Sequence, residues 1–167
     1  MSALRILGVD PGLNRCGWGL ILADGPRLGF LACGVIETDP KQALAERLAL
    51  IFAGLQGLAA AQAPQEAAVE ETFVNANPRA ALALGQARGA ALAALAQAGL
   101  PVAEYAPAVI KKGLVGSGRA DKTQVAFMVR RLLPAAGDVR ADAADALAVA
   151  LTHAAHGGFS RRAEGRG

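Results

Sequence analysis

Four acidic residues could act together, although they come from three distant segments of the chain. Asp10 ends the apolar run LRILGVD and Glu70 ends the run AAVE. Asp142 and Asp145 lie three residues apart in RADAADALAVALTHA, so both project from about one face of a predicted helix. Two carboxylates about 4 Å apart repel by about 4 kcal/mol at an effective dielectric of about 20, so a packed group needs protons or cations. Oxygen ligands favour a hard divalent ion such as Mg²⁺ or Mn²⁺, and paired ions of this kind serve phosphoryl transfer.

Each of these acids also has a purely structural interpretation. Asp10 precedes Pro-Gly and could shape a turn, while Asp142 could cap a helix or interact with its dipole. Glu70 could be a surface acid at a strand end. Its neighbour Glu71 points to the opposite face of a strand, and the alternation does not say which of the two faces the site. Asp145 has apolar neighbours, where an unpartnered acid is costly. The metal-site prediction therefore depends on the four residues as a set.

The apolar pattern predicts the elements that must position these acids. Continuous or alternating apolar runs with turn signals between them predict strands over 4–10, 17–23, 28–38, 67–73 and 100–105. Helical spacing predicts helices over 40–62, 77–99, 106–116, 121–133 and 140–154. Three meandering strands followed by helix–strand units indicate an α/β fold, a mixed sheet with helices on both faces. Sites in such sheets form at the carboxyl ends of strands, where the first turn of the last helix could meet Asp10 and Glu70.

Length and composition indicate one domain over 1–156 with a flexible basic tail over 157–167. The chain has 167 residues, a net charge of +3 and a pI near 9.2, a mild preference for anionic partners. Cys16 and Cys33 form no CxxC pair and read as free thiols of a reducing compartment. The N-terminus lacks a signal-peptide pattern, and the apolar window 80–100 carries Arg88 near its centre. These observations predict a cytoplasmic protein without a membrane span.

Four long segments resemble one known family. ILGVDPGLNRCGWGLI, VEETFVNANPRAALALGQARGAALAA, EYAPAVIKKGLVGSGRADKTQVAFMV and ADAADALAVALTH together resemble the RuvC family of crossover (Holliday) junction endodeoxyribonucleases, from about Leu4 to His153. The resemblance implies a ribonuclease H-like fold whose five-stranded mixed sheet has the order 3-2-1-4-5. It also implies a homodimer that nicks opposed strands of a four-way DNA junction in recombination and repair. The products would carry 5′-phosphate and 3′-hydroxyl ends.

The resemblance also assigns site residues and partners. It implies two Mg²⁺ ions per subunit, with Mn²⁺ able to substitute, and a branch-migration partner made of a junction-binding protein and a ring helicase. It selects Glu70 over Glu71, and some relatives carry His at the position of Asp142. The catalytic and metal-holding residues that it implies are Asp10, Glu70, Asp142 and Asp145.

Basic and aromatic residues complete the predicted DNA-binding surface. Lys111 and Lys122 match basic positions that the family uses near the scissile phosphate. Phe73, in the loop ETFVNANP, is expected to stack on or wedge between bases at the junction centre, although an aromatic residue can also fold onto the core. By charge and placement, further backbone contacts are expected from Lys112, Arg79 and Arg119. Gly85 and Gly89, costly inside a helix, predict that the helix over 77–99 forms the dimer interface.

Three alternatives stay open at this level. A ribonuclease H-like protein of the ribosomal RNA-processing type also opens with a strand-Asp-Gly motif, but the segments ADAADALA and GQARG count against it. A sugar- or acetate-kinase-like ATPase would need a second nucleotide-binding domain, for which 167 residues are too few. A non-catalytic junction-binding module would not need acids at all four matching positions.

Overall fold

The computed structural model describes residues 2–71 and 76–159, and these form a five-stranded sheet covered by helices on both faces. The strands are β1 (Leu4–Asp10), β2 (Arg15–Asp24), β3 (Arg27–Glu37), β4 (Glu66–Glu70) and β5 (Val102–Tyr105). The helices are α1 (Leu44–Gln62), α2 (Pro78–Gln97), α3 (Pro107–Val115), α4 (Lys122–Leu132) and α5 (Ala141–Ala155), with a 3-10 turn over Pro134–Ala136. The predicted order of elements is confirmed.

The sheet has the order β3-β2-β1-β4-β5, as the family resemblance implies. β1, β2 and β3 form an antiparallel meander, whereas β4 runs parallel to β1 and β5 runs parallel to β4. Val9 pairs with Val69, so the carboxyl ends of β1 and β4 lie side by side. Asp10 and Glu70 therefore meet at one edge of the sheet, where sites in α/β folds form.

Two apolar cores lie on opposite faces of the sheet. One face, with Leu7, Val9 and Val69, packs against α1 and α2. The other face, with Ile6 and Ala68, packs against α3, α4 and α5. Because strand side chains alternate, Asp10 and Glu70 share the second face, together with Gly8 and Ala68.

α5 lies unusually close to β1 and β2 because glycines leave room for it. A Cβ atom on Gly8 would overlap the carbonyl oxygen of Ala146, and one on Gly17 would overlap the carbonyl oxygen of Asp142. Gly17 pairs with Asp10 across the β1–β2 ladder, so the first turn of α5 lies directly over the end of β1. The small side chains of the two segments thus decide the depth at which the helix docks.

Within the described residues, one element boundary differs from the sequence prediction by more than two residues. The helix predicted from residue 40 begins at Leu44, because Asp39 forms a turn of its own: its carboxylate accepts a hydrogen bond from the Lys41 amide at 2.9 Å. The fourth strand ends at Glu70, and residues 72 and 73 of its predicted range lie outside the described residues. The cap predicted for α4 is confirmed, since Asp121 and Gln124 form a reciprocal capping box.

α1 is long and apolar enough to cross a membrane by length and composition alone, and 17% of its most apolar window is buried. Glu46 and Arg47 lie in its first turn, and a stripe with Ile51 and Leu55 packs onto the sheet. This is the packing of a surface helix on a core, and it is the single such helix found within the described residues. The expected absence of a membrane span stays a prediction.

The domain boundary predicted at residue 156 also stays a prediction. Three residues beyond it, the Phe159 amide still donates a hydrogen bond to Glu66 at 3.1 Å, so the chain keeps contact with the core there. The rest of the predicted tail, 160–167, and Phe73 lie outside the described residues. Cys16 and Cys33 are free thiols, as expected.

Candidate active site

Three of the four predicted acids line one cavity at the carboxyl edge of β1 and β4. The cavity has a volume of about 190 Å³ and contains the side chains of Asp10, Glu70 and Asp145. Asp10 comes from the end of β1, Glu70 from the end of β4, and Asp145 from the second turn of α5. The other lining residues are Pro107, Ile110, Lys111, Lys122, Val125 and Ala148, from α3, α4 and α5.

Strand alternation places Glu70, rather than Glu71, in this cavity. Val69 and Glu71 share the face that packs toward α1 and α2, whereas Glu70 shares the α5 face with Ala68. The Glu71 amide donates to the Tyr105 carbonyl at 2.8 Å, which continues the β4–β5 ladder past Glu70 and fixes its orientation. The alternation in the sequence left this choice open, whereas the family resemblance selected Glu70.

Asp142 lies beside the cavity and makes a different contact. Its carboxylate forms an ion pair with the Arg15 guanidinium, with Nε and Oδ2 3.3 Å apart. Its charge still reaches the cavity, because it contributes to the raised pKa of both Asp10 and Asp145. The structure therefore brings the four acids into one electrostatic group but gives Asp142 a partner of its own.

Burial and mutual repulsion dominate the electrostatics of the cavity. Desolvation by burial, a side-chain hydrogen bond with Glu70 and the negative charges of Glu70, Asp145 and Asp142 raise the pKa of Asp10 to about 9. Burial also raises the pKa of Asp145, which the positive charge of Lys122 opposes. Lys122 Nζ lies 3.8 Å from Asp145 Oδ2. The described residues thus compensate the negative charge in the cavity only in part.

The donor set suits a hard divalent cation. Among the described residues, three carboxylates and no thiol or imidazole line the cavity, and such oxygen ligands prefer Mg²⁺ or Mn²⁺. Within the described residues, no three Asp, Glu, His or Cys side chains already surround a common point as metal ligands would. The raised pKa of Asp10 nevertheless shows that added positive charge at this place would be stabilised. The residues fit the expected ion by chemistry, with side-chain adjustment on binding.

The predicted basic residues divide into two groups. Lys111 on α3 and Lys122 at the start of α4 line the cavity together with the carboxylates. Lys112 is exposed on α3, and Arg119 is exposed in the loop before α4. Arg79 is exposed at the start of α2, where the Asn77 side chain caps the helix by accepting from its amide at 3.1 Å. The exposed positions of Lys112, Arg119 and Arg79 fit contacts with an extended ligand better than contacts with a group bound in the cavity.

Arg15 is a cation at the site that the sequence analysis missed. It begins β2, two residues before Gly17, which pairs with Asp10, so it projects past the end of β1 toward Asp142. Its side chain is 59% exposed, which leaves the guanidinium accessible to a second anion. The signal in the sequence is the register of the first hairpin, which brings residue 15 next to the end of β1.

Comparisons with known proteins agree with this architecture. The profile of the family described as "Crossover junction endodeoxyribonuclease RuvC" matches residues 6–153. A protein of that name from Methylocella silvestris is 59% identical over 153 residues, covering 92% of this chain and 87% of that protein. Another, from Hyphomonas neptunium, is 59% identical over 155 residues, covering 93% of each chain.

Solved structures give the same result. The structure of Thermus thermophilus RuvC superimposes with a TM-score of 0.83 at 36% identity, covering 92% of this chain and 95% of that one. T. thermophilus RuvC in complex with a Holliday junction substrate gives 0.84 at 36% identity, with 94% and 96% coverage. These matches favour the junction family over the RNA-processing and kinase-like alternatives.

Proposed function

Because the chain belongs to the RuvC family of crossover junction endodeoxyribonucleases, we propose that it resolves four-way DNA junctions by nicking two opposed strands. The observation that carries the proposal is the cavity in which Asp10, Glu70 and Asp145 face Lys111 and Lys122. Carboxylates that can collect divalent cations, next to cations that can hold a phosphate, are the parts that phosphodiester hydrolysis needs. We expect 5′-phosphate and 3′-hydroxyl products, as the family resemblance implies.

The acids would hold the divalent cations of the reaction. The charges of Glu70 and Asp145 both act on Asp10. Asp10 would therefore help to hold both expected Mg²⁺ ions, and Glu70 and Asp145 would each help to hold one. Asp142 would complete the set once Arg15 binds another anion in place of the Asp142 carboxylate. Bound Mg²⁺, or Mn²⁺ in its place, supplies Lewis-acid activation and neutralises charge on the phosphate.

The cations of the protein would orient the DNA backbone. Lys111 and Lys122 lie within the cavity wall and would contact the phosphate at the cut, while Arg15 would contact a neighbouring phosphate. Lys112, Arg119 and Arg79 are exposed and would follow the backbone further from the site. Phe73, outside the described residues, keeps its proposed role at the junction centre.

A homodimer would explain paired nicking. Gly85 and Gly89 are exposed on α2, and nothing in the described chain lies within 4 Å of a Cβ atom built on either. This face can accept a second helix closely, and a two-fold axis would present two cavities to a symmetric junction. We place the protein in the cytoplasm, acting with a branch-migration complex of a junction-binding protein and a ring helicase.

The test compares a labelled synthetic four-way junction with linear duplexes of the same sequences. Wild type, Asp10→Asn and the exposed-acid control Asp24→Asn are incubated with Mg²⁺ or EDTA, and the products are mapped and religated. We expect paired nicks in the junction that need Mg²⁺ and Asp10 but not Asp24. Tight junction binding without cleavage in Mg²⁺ or Mn²⁺, over several junction sequences, would support the non-catalytic binding module instead.

A further inference from the structure

A buried polar network lies behind the proposed active site, on the same face of the sheet. His153, in the last turn of α5, places Nε2 2.7 Å from Oε2 of Glu66 and Nδ1 2.8 Å from the Tyr105 hydroxyl. The three residues are 1%, 4% and 6% exposed, respectively. The neutral imidazole protonated on Nε2 satisfies both contacts, because it donates to Glu66 and accepts from Tyr105. Polar groups this deeply buried are tolerated when they are hydrogen-bonded.

The network joins the elements that carry two of the acids. Glu66 begins β4, the strand that ends at Glu70, and His153 lies on α5, the helix that carries Asp145. Tyr105 is the β5 residue paired with Glu70, and its carbonyl accepts from the amide of Glu71. One chain of hydrogen bonds therefore ties the far end of α5 to the strand bearing Glu70 and to the strand beside it.

Apart from this network and the ion pairs in its first turns, Asp142 with Arg15 and Asp145 with Lys122, the α5 contacts with the described sheet are apolar and offer little direction along the helix. Ala146 and Ala150 pack over Gly8, and Leu147 packs over Gly19. Apolar burial is non-directional, so such a surface stabilises the contact without strongly fixing a rotation or translation of the helix. Hydrogen bonds require specific distances and angles, and buried polar contacts are a known means of fixing register.

We propose that Glu66, Tyr105 and His153 are positioning residues that set the place of α5 on β4 and β5. In doing so they hold Asp145 at the correct distance from Asp10 and Glu70. The inference rests on the proposed catalytic role of those carboxylates. Catalytic groups must be held to about 0.5 Å, and a 1 Å misplacement can cost about 100-fold in rate. Loss of the network therefore lowers the rate of the cut and the affinity for Mg²⁺ while leaving the DNA-binding surface in place.

The test uses variants that change the hydrogen bonds but little of the shape. Tyr105→Phe removes the hydroxyl, and His153→Leu removes both ring nitrogens. His153→Gln restores a donor for Glu66 and an acceptor for Tyr105 on one side chain. Thr152→Val is the matched control: Thr152 is 1% exposed on the same helix turn, but its hydroxyl bonds within the helix, to the Ala148 carbonyl at 2.8 Å.

Three quantities are measured at a temperature at which every variant is folded: kcat and KM on the junction, and the Mg²⁺ concentration that gives half of the thermal stabilisation by Mg²⁺. We expect Tyr105→Phe and His153→Leu to lower kcat by about 10-fold or more and to raise the Mg²⁺ midpoint, with KM nearly unchanged. His153→Gln should recover most of both losses. Thr152→Val should lower the melting temperature without changing kcat or the Mg²⁺ midpoint.

The outcomes separate this inference from the proposed function. If wild type cuts the junction and Tyr105→Phe and His153→Leu cut equally fast with the same Mg²⁺ midpoint, the positioning role is wrong. It is also wrong if Thr152→Val loses as much kcat as His153→Leu, because the effect would then follow stability alone. If wild type does not cut, the proposed function fails, and the Mg²⁺ midpoint of the variants still decides whether the network positions the carboxylates.

Discussion

Replacing Asp10 by Asn should abolish cleavage and at the same time stabilise the metal-free protein. Asp10 lies in the cavity with Glu70 and Asp145, and burial together with their negative charges raises its pKa to about 9. The unfolded chain releases this proton near the ordinary value of 3.8. Folding must therefore keep a proton on Asp10 at neutral pH, which costs free energy.

The magnitude follows from the two pKa values. A tenfold difference in proton affinity corresponds to about 1.4 kcal/mol, so at pH 7.5 the cost reaches up to about 5 kcal/mol. An Asn side chain has no proton to release and can still donate a hydrogen bond to Glu70. We expect a gain of at least about 1 kcal/mol, or about 2–4 °C in melting temperature for a domain of this size.

The pH dependence gives the prediction its sign. A raised carboxyl pKa favours the folded state fully below about pH 4 and progressively less as the pH rises toward about 9. Urea and thermal unfolding of wild type, Asp10→Asn and Asp24→Asn are compared in EDTA between pH 5 and pH 9. The advantage of Asp10→Asn over wild type should grow with pH, while the exposed control Asp24→Asn should follow wild type.

Mg²⁺ should reverse the order of stabilities. An ion that binds only the folded wild type stabilises it by about 2.7 kcal/mol at 100 times its dissociation constant, and the variant should gain much less. The reasoning fails if Asp10→Asn is less stable than wild type in EDTA from pH 6 to pH 9. In that case the Asp10 carboxylate would be a structural partner and the cavity would not hold uncompensated negative charge.

Two further predictions concern the cations and the glycines of the site. Lys111→Ala and Arg15→Ala should each lower the slope of log junction affinity against log salt by about 1. Arg27→Ala should not, because Arg27 begins β3 and pairs with Asp24, at the end of β2 away from Arg15. Equal slopes for all three variants would refute the phosphate contacts. Gly8→Ala should destabilise the fold by about 1–3 kcal/mol or more in urea unfolding, because its Cβ would overlap the Ala146 carbonyl. Gly57→Ala, with open space around its Cβ on α1, should be neutral or stabilising by up to about 1 kcal/mol, and an equal loss in both variants would refute the packing argument.

The elements could be predicted because their signals are local. The apolar run of β1 ends at Asp10 in the sequence and in the structure, and the Asp121 cap of α4 needs only neighbours three residues away. The predicted start of α1 is four residues early, and the cause of this error is also local. Asp39 competes with the helix by binding the Lys41 amide, and helical spacing of apolar residues does not report such a turn.

The site could be predicted only as a set of residue types. Spacing puts Asp142 and Asp145 on about one face of α5, but the angle at which the helix crosses the sheet decides which of them enters the cavity. The contact between Arg15 and Asp142 depends in addition on the register of the β1–β2 hairpin. Tyr105 ends the predicted strand 100–105 and is buried, but neither strand pattern nor burial reveals that its hydroxyl meets His153. Long-range partners of this kind depend on packing that no short stretch of sequence contains.

The composition of α5 connects these observations. A helix of Ala and Leu can approach strands that carry Gly8, Gly17 and Gly19, and no bulky side chain separates its first turns from the end of β1. This close approach puts Asp145 near enough to Asp10 for its charge to help raise the pKa of Asp10, so tight apolar packing contributes to the repulsion that a divalent cation would relieve. Any substitution that moves α5 away from β1 should therefore lower the pKa of Asp10 and weaken Mg²⁺ binding together. Packing, proton affinity and metal affinity at this site are three consequences of one helix position.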